Sequence, residues 1–313
     1  LSVGLACAAV AAAGFAASPL LGMMLGVALL FGVAAGLMDG GLNTSVGLSG
    51  RRRLLNLLHG AYGVGTAIGP LVVIVAVLTG SWRPAYLVLL AVDVALAGLW
   101  LSHRRGRRRE APPSQPDTEG GADPDPEPGP GSRTRPPGRR LVGPIVAGIA
   151  VFFVYTGLEV SAGQWETTYG RDHLHLSPAA AGLATFGYWA ALTATRIGLA
   201  MLRRPPSHHR VVRWGLILAV VAAGLIWWDP ATAVTITGFV LMGAALAGVF
   251  PALIAMTPHR LGEQRASNVI AWQVGAAAAG GAAISALVGL LIGTSGVAVL
   301  GPAITVLALL LVA

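Results

Sequence analysis

Two of the four carboxyl groups inside long apolar stretches of the sequence are candidates for binding and releasing a proton. Asp39 is in the apolar run 20–46, and Glu159 is in the run 141–169. An ionised carboxylate in hydrocarbon is costly, so acids at such positions usually face a cavity, pair with a cation or take up a proton. We therefore predict that Asp39 and Glu159 are proton-coupling residues. The alternative for Asp39 is a helix-breaking turn at Asp39-Gly40-Gly41.

Polar residues near these acids are candidates for a substrate cavity. Asn43 follows Asp39 by one helical turn, so it would share its helix face and could hydrogen-bond the acid or a solute. Gln164 and Trp165 follow Glu159 and offer an amide and an apolar platform, a combination that suits the mixed faces of a sugar ring. The alternative for Trp165 is a place in the aromatic belt at the membrane interface.

Four further residues in or beside apolar runs extend this set. Arg196 either pairs with a cavity acid or extends its side chain to the interface. Trp272 and Gln273 are weaker candidates for the same cavity. Glu166 shares the helix face of Glu159 but is expected to be exposed at the outer end of its run. The sequence has no phosphate-binding loop and no set of metal ligands at usable spacing, so we predict no enzyme, no cofactor and no metal site.

The elements that carry these residues are transmembrane helices. Of the 313 residues, 55% are hydrophobic and 11% are charged, and the mean hydropathy is +0.71, which excludes a soluble fold. The runs lack the alternation of a barrel strand, so we predict an all-α polytopic membrane protein. We count ten spans: 2–17, 20–46, 54–78, 84–101, 141–169, 178–202, 211–228, 231–256, 266–292 and 296–313.

The basic residues indicate the orientation in the membrane. All 21 are Arg; 18 lie in alternate loops and their flanks, two lie in the opposite loops, and Arg196 is inside a span. Because cytoplasmic loops retain positive charge, the loop 104–140 and the end of the chain are predicted to be cytoplasmic. This explains the net charge of +8 without a nucleic-acid partner. The use of Arg at every basic position, with no Lys, suggests a GC-rich bacterial gene. We therefore expect the protein to lie in the bacterial plasma (inner) membrane.

The sequence repeats itself at an offset of 212 residues. A shift by this distance places Gly36, Gly50, Arg53, Asn56, Gly63, Ala67 and Gly69 on Gly248, Gly262, Arg265, Asn268, Gly275, Ala279 and Gly281. The halves are therefore parallel repeats with the same orientation, as in transporters built from two six-helix bundles. Two spans after the loop lack a counterpart, so we expect an amino-terminally truncated twelve-helix protein, with helices 3–12 present.

This organisation resembles the major facilitator superfamily. Gly65-Thr-Ala-Ile-Gly69-Pro70 is similar to its G-x-x-x-G-P helix-packing motif. The segments around Asp39, Asn56 and Glu159 are similar to the fucose permease branch of sugar:proton symporters. The segment 104–140 is rich in Pro, Gly, Arg, Asp and Glu and has almost no apolar residue, so we predict a disordered cytoplasmic linker there. It separates a partial amino-terminal bundle at 1–103 from a six-helix carboxy-terminal bundle at 141–313.

Three functions stay open from the sequence. The first is a secondary active transporter, proton-coupled and acting on a small polar, sugar-like solute by alternating access, as a monomer in the lipid bilayer. The second is a proton-coupled efflux antiporter for drugs or metabolites. The third is a membrane fragment or sensor that does not transport.

The arginine distribution gives a direct test of topology. With the native Cys7 replaced by Ala, a cysteine introduced by Ser132→Cys should resist an impermeant thiol reagent in intact cells and react after lysis. Labelling of intact cells would place the linker outside and contradict the orientation.

Overall fold

The structure is a computed structural model, and it describes residues 1–49, 51–78, 80–81, 83–110 and 139–313. Its α-helices are Ser2–Ala17 (α1), Leu21–Leu48 (α2), Arg52–Leu78 (α3), Arg83–Glu110 (α4), Arg139–Asp172 (α5), Pro178–Met201 (α6), His208–Trp228 (α7), Thr232–Leu246 (α8), Val249–Leu261 (α9), Glu263–Ser295 (α10) and Leu300–Val312 (α11). A 3₁₀ turn, Val297–Val299, precedes α11.

These helices confirm the all-α prediction. Helices α8 and α9 form one interrupted segment, Thr232–Leu261, so the described residues make ten helical segments, one for each predicted span. Six of them are long and apolar enough to cross a membrane. The part of the chain that the structure describes contains no strand.

The first of two compact units comprises residues 1–38 and 83–143. In it α1 packs along α4. The indole N–H of Trp100 donates to the Ser2 hydroxyl at 3.0 Å, and the rings of Phe15 and Tyr86 stack with centroids 4.7 Å apart. These contacts join the two ends of the helix pair.

The second unit comprises residues 39–82 and 144–313 and contains every predicted site residue. Helix α6 packs between α3 and α8, and α7 contacts α8, α9 and α11. Its core contains the buried side chains of Phe152, Tyr155, Leu158, Tyr188, Leu192, Ile226, Phe239, Met242, Leu246, Ile254 and Ile270. The unit is thus a multi-helix bundle with several tyrosine and phenylalanine side chains in its core.

The two units do not coincide with the predicted bundles 1–103 and 141–313. The division by contacts cuts α2 between Met38 and Asp39, so the predicted boundaries stay a prediction. The predicted linker is shorter at both ends, because α4 continues to Glu110 and α5 begins at Arg139. The arginines between 104 and 109 favour this continuation of α4, because arginine is a good helix former. The rest of the predicted linker lies outside the described residues.

The helix boundaries follow the sequence repeat. A shift of 212 residues places α2 over 233–260, where α8 and α9 span Thr232–Leu261. The same shift places α3 over 264–290, within α10. The internal repeat is therefore a repeat of helices as well as of residues.

Several glycines in the second unit allow close approach between helices. A Cβ on Gly243 of α8 would collide with the Tyr188 backbone carbonyl of α6, whereas a Cβ on Gly224 of α7 would meet no heavy atom within 4 Å. Because glycine has no side chain, the backbones of two helices can approach closely at such a position.

This difference predicts the effect of a methyl group at each position. Gly243→Ala should destabilise the protein by about 1–3 kcal/mol, because the fixed backbone of α6 cannot yield. Gly224→Ala is the matched control and should be neutral or slightly stabilising, since Ala favours helix. Thermal unfolding of the purified protein in detergent measures both, and an equal response would contradict the packing.

Candidate functional site

The centre of the second unit holds a buried ion pair between Glu159 of α5 and Arg196 of α6. Arg196 Nη2 lies 3.1 Å from Glu159 Oε2 and 3.4 Å from Oε1. The two residues are 6% and 1% exposed, so the charges are compensated by each other. Of the two alternatives for Arg196, pairing with an acid is therefore the one that the structure shows.

The remaining nitrogens of Arg196 bind backbone carbonyl groups. Nε donates to Ala247 O at 2.9 Å, and Nη1 approaches His59 O at 3.4 Å. Ala247 lies between α8 and α9, and Pro251, four residues later, has no amide N–H to donate to it. The guanidinium group thus satisfies a carbonyl that the helix leaves without its usual partner.

Two tyrosines bind Glu159, one at its carboxylate and one at its backbone carbonyl. The Tyr155 hydroxyl forms a very short hydrogen bond with Glu159 Oε2 and lies 2.7 Å from Leu246 O, the last residue of α8. The Tyr188 hydroxyl donates to the Glu159 backbone carbonyl at 2.8 Å. Both tyrosines are fully buried, and the Tyr155 ring lies 6.0 Å from that of Phe250. The carboxylate is consequently held at the interruption between α8 and α9.

A second polar group comprises Asp39, Asn43 and His59. Asn43 Nδ2 donates to Asp39 Oδ1 at 2.6 Å and to Asp39 O at 3.0 Å, the contact that the one-turn spacing predicts. Asn43 Oδ1 then faces His59 Nε2 at 2.9 Å. An amide oxygen can only accept, so this histidine nitrogen carries the proton. Because Arg196 contacts the His59 carbonyl, the two polar groups are continuous.

The other cavity candidates make contacts with α9 and α10. Gln164 is exposed, and its Oε1 accepts from the Ser285 hydroxyl at 2.9 Å. Trp165 donates from Nε1 to Ser285 O at 3.0 Å and packs against Gly289. Gln273 is buried, and its Oε1 accepts from Thr257 at 3.0 Å.

The adjacent Trp272 is 70% exposed, so of the two neighbouring candidates on α10 Gln273 is buried and Trp272 is exposed. The predicted motif at Gly65, Gly69 and Pro70 lies on α3. A Cβ on Gly65 or Gly69 would meet no described heavy atom within 4 Å. The Pro70 side chain is not among the side chains that the structure describes.

One expectation is wrong. Glu166 was expected to be exposed, but it is 2% exposed and lies inside the bundle. Hydropathy indicates how deep a residue lies along its span, but it does not indicate which neighbouring helices cover that residue. The seven-residue spacing does place Glu166 on the same buried helix face as Glu159.

Sequence reasoning missed the roles of Tyr155, Tyr188 and the Ala247 carbonyl. The available signals were the spacing of Tyr155 four residues before Glu159 and the position of Pro251 four residues after Ala247. No group of three or more His, Cys, Asp or Glu residues that could hold a metal ion occurs among the residues described.

Fold and site together define a polytopic helical membrane protein with a compensated ion pair at a helix interruption. A sequence model of the Major Facilitator Superfamily matches residues 1–286. The chain therefore belongs to this superfamily of membrane transporters, whose members generally carry solutes and do not catalyse reactions.

Solved structures share the fold. The human organic anion transporter MFSD10 (TETRAN) has a TM-score of 0.72 and 19% identity, over 99% of this chain and 75% of that one. FucP in the outward conformation has a TM-score of 0.68, 14% identity and coverages of 99% and 82%. A variant of the E. coli fucose:proton symporter FucP gives a TM-score of 0.65 at 14% identity, with the same coverages. A search of curated protein sequences finds no match.

The match of the family model confirms the predicted superfamily, and the solved structures confirm the fold. At these identities they establish the fold alone, so the solute and the coupling ion must be argued from the residues of this chain.

The ion pair predicts that removing one charge destabilises the protein more than removing both. Arg196→Met should destabilise the protein by about 3–5 kcal/mol, because it leaves Glu159 and the Ala247 carbonyl buried without a partner. Adding Glu159→Gln removes the second charge and should restore part of the loss. Thermal unfolding in detergent measures both, with Arg171→Met at the exposed end of α5 as control. A double variant that loses as much as the two single variants combined would contradict the pairing.

Proposed function

We propose that this protein is a proton-coupled secondary active transporter for a small polar, sugar-like solute, working by alternating access. We place it as a monomer in the bacterial plasma membrane, with the linker and the carboxy terminus in the cytoplasm. Glu159 is the leading proton-coupling residue, and Asp39 is the second.

The observation that carries the proposal is the position of the Tyr155 hydroxyl between Glu159 Oε2 and Leu246 O. A hydroxyl group has one hydrogen, so it cannot donate to both oxygens at once. If Glu159 is ionised, Tyr155 donates to it and the Leu246 carbonyl lacks this donor. If Glu159 binds a proton on Oε2, the acid donates to Tyr155 and Tyr155 donates to Leu246. The arrangement thus accommodates both protonation states.

Arg196 connects this proton to the packing of the helices. With Glu159 ionised, the guanidinium group links α6 to α5 through the ion pair and to the interruption between α8 and α9 through Ala247 O. Protonation of Glu159 removes the charge attraction and leaves the contacts with the Ala247 and His59 carbonyls. The proton therefore changes how strongly α5 and α6 are held together, which is the differential interaction that a two-state transporter needs.

Asp39 is the second candidate because its hydrogen bonds continue to the same cluster. It binds Asn43, Asn43 binds His59, and the His59 carbonyl approaches Arg196. A proton gained or lost at Asp39 changes the charge at one end of this chain.

The candidate residues for solute binding fall into an exposed group and a group packed within the protein. Gln164 and Trp272 are exposed and are the direct contact candidates. Asn43 and Gln273 are buried with partners within the protein, and Trp165 is held against α10, so we infer that these three position neighbouring groups. An exposed amide and an exposed indole suit a solute with hydroxyl groups on one side and C–H groups on another.

The function can be tested with the full-length protein in liposomes that contain a pH-sensitive dye. Addition of a co-transported monosaccharide, L-fucose being the first of a panel of neutral sugars, should acidify the interior. An antiporter that exchanges an entering solute for an internal proton would give the opposite signal. A panel of sugars that produces no pH change would contradict sugar:proton symport.

Variants of the two acids then assign the proton site. Glu159→Gln should abolish accumulation driven by a pH gradient, while counterflow exchange, which needs no net proton movement, continues. Asp172→Asn, an exposed carboxyl on the same helix, is the control and should accumulate solute as the wild type does. If Glu159→Gln accumulates solute normally and Asp39→Asn does not, Asp39 is the coupling residue. Loss of exchange together with folded yield would make the acid structural.

A further inference from the structure

One side of α5, continued by the turn that follows it, carries a column of ionisable side chains. Tyr155, Glu159, Glu166, Tyr169 and His173 follow each other at intervals of 4, 7, 3 and 4 residues. Intervals of this size keep residues on one side of a helix. The proposed coupling mechanism uses Tyr155 and Glu159, and it leaves the rest of the column without a role.

Glu166 is the unusual member of this column. It is 2% exposed, and neither of its carboxylate oxygens has a hydrogen-bond partner among the described residues. An ionised carboxylate buried without a cation or a donor is strongly disfavoured, whereas a carboxylic acid is tolerated. The surroundings of Glu166 are therefore those that suit a carboxylic acid and not a carboxylate.

The groups on either side of Glu166 are hydrogen-bonded. Toward the middle of α5, Tyr188 of α6 lies within electrostatic reach of both Glu166 and Glu159 and donates to the Glu159 carbonyl. Glu159 itself is neutralised by Arg196.

Toward the end of α5, the ring of Tyr169 lies 4.6 Å from that of His173. His173 Nε2 lies 2.8 Å from Asp229 Oδ2, and Thr235 donates to the other oxygen of Asp229. Tyr169 also interacts with Asp229. Helices α8 and α11 contain no ionisable residue, so they place no charge beside the column.

We propose that Glu166 is a second, exchangeable proton-binding site of this transporter, between the Tyr169–His173–Asp229 group and the Glu159–Arg196 pair. The inference rests on the proposed proton coupling. The step is a simple proton transfer. When a conformational change admits water, the carboxylic acid gives its proton to a water molecule and becomes a carboxylate, and it takes a proton back from water before the site closes. Glu166 then relays protons toward Glu159 without contacting the solute.

Infrared spectroscopy of the purified protein tests this without any solute. A protonated carboxyl group gives a C=O stretching band separate from that of carboxylates. At neutral pH the wild type should show such a band, Glu166→Gln should lose it, and Asp172→Asn, an exposed carboxyl on the same helix, should keep it. Glu166→Met, which is apolar and similar in size, should also lose the band and serves if the Gln variant is unstable.

Exchange into D₂O separates a relay from a structural acid. The wild-type band should shift when the protein is transferred, because a proton relay must exchange with solvent. A band of equal intensity in the wild type, Glu166→Gln and Glu166→Met would show that another carboxyl group, such as Asp39, gives the band and that Glu166 is ionised, which overturns the proposal. A band that is lost in these variants but does not shift in D₂O would show a sealed structural acid, which also overturns it. Neither result bears on the sugar-dependent pH signal, so failure here is distinct from failure of the transport proposal.

Discussion

The arrangement of the second unit depends on one constraint: the guanidinium charge of Arg196 is almost completely buried and must be compensated. Glu159 supplies the opposite charge, and the carbonyls of Ala247 and His59 accept the remaining donors. These groups come from α5, α3 and the junction of α8 with α9. A single side chain therefore connects four helices, and their packing is correct only when its hydrogen bonds are made.

The interruption of the helix between Leu246 and Val249 is what makes this connection available. A continuous helix satisfies its own carbonyl groups and offers nothing to a neighbouring side chain. Pro251 removes the donor that Ala247 would otherwise use. Arg196 binds the freed Ala247 carbonyl, and the Tyr155 hydroxyl lies 2.7 Å from the Leu246 carbonyl, so both carbonyls at the break face polar side chains of the protein.

The sequence predicted what depends on local pattern. Ten apolar runs became ten helical segments, and the spacing of Asp39 and Asn43 became a hydrogen bond. Contacts between residues that are distant in sequence could not be predicted in the same way. Arg196 had two equally reasonable interpretations, because its partner lies 37 residues away on another helix. The burial of Glu166 was missed for the same reason, since the helices that cover it are distant in sequence.

The two glutamates of α5 differ in a way that matters for proton movement. Glu159 has a cation and a tyrosine beside it, whereas neither carboxylate oxygen of Glu166 has a hydrogen-bond partner in the described structure. Environments that separate two carboxyl groups in this way are typical of sites with distinct acid and base roles. A proton would move from Glu166 to Glu159 only if the surroundings changed, and Arg196 is the group whose displacement would change them. Proton transfer and the repacking of α5 against α6 would then be one event, which is the requirement for coupling a gradient to a conformational change.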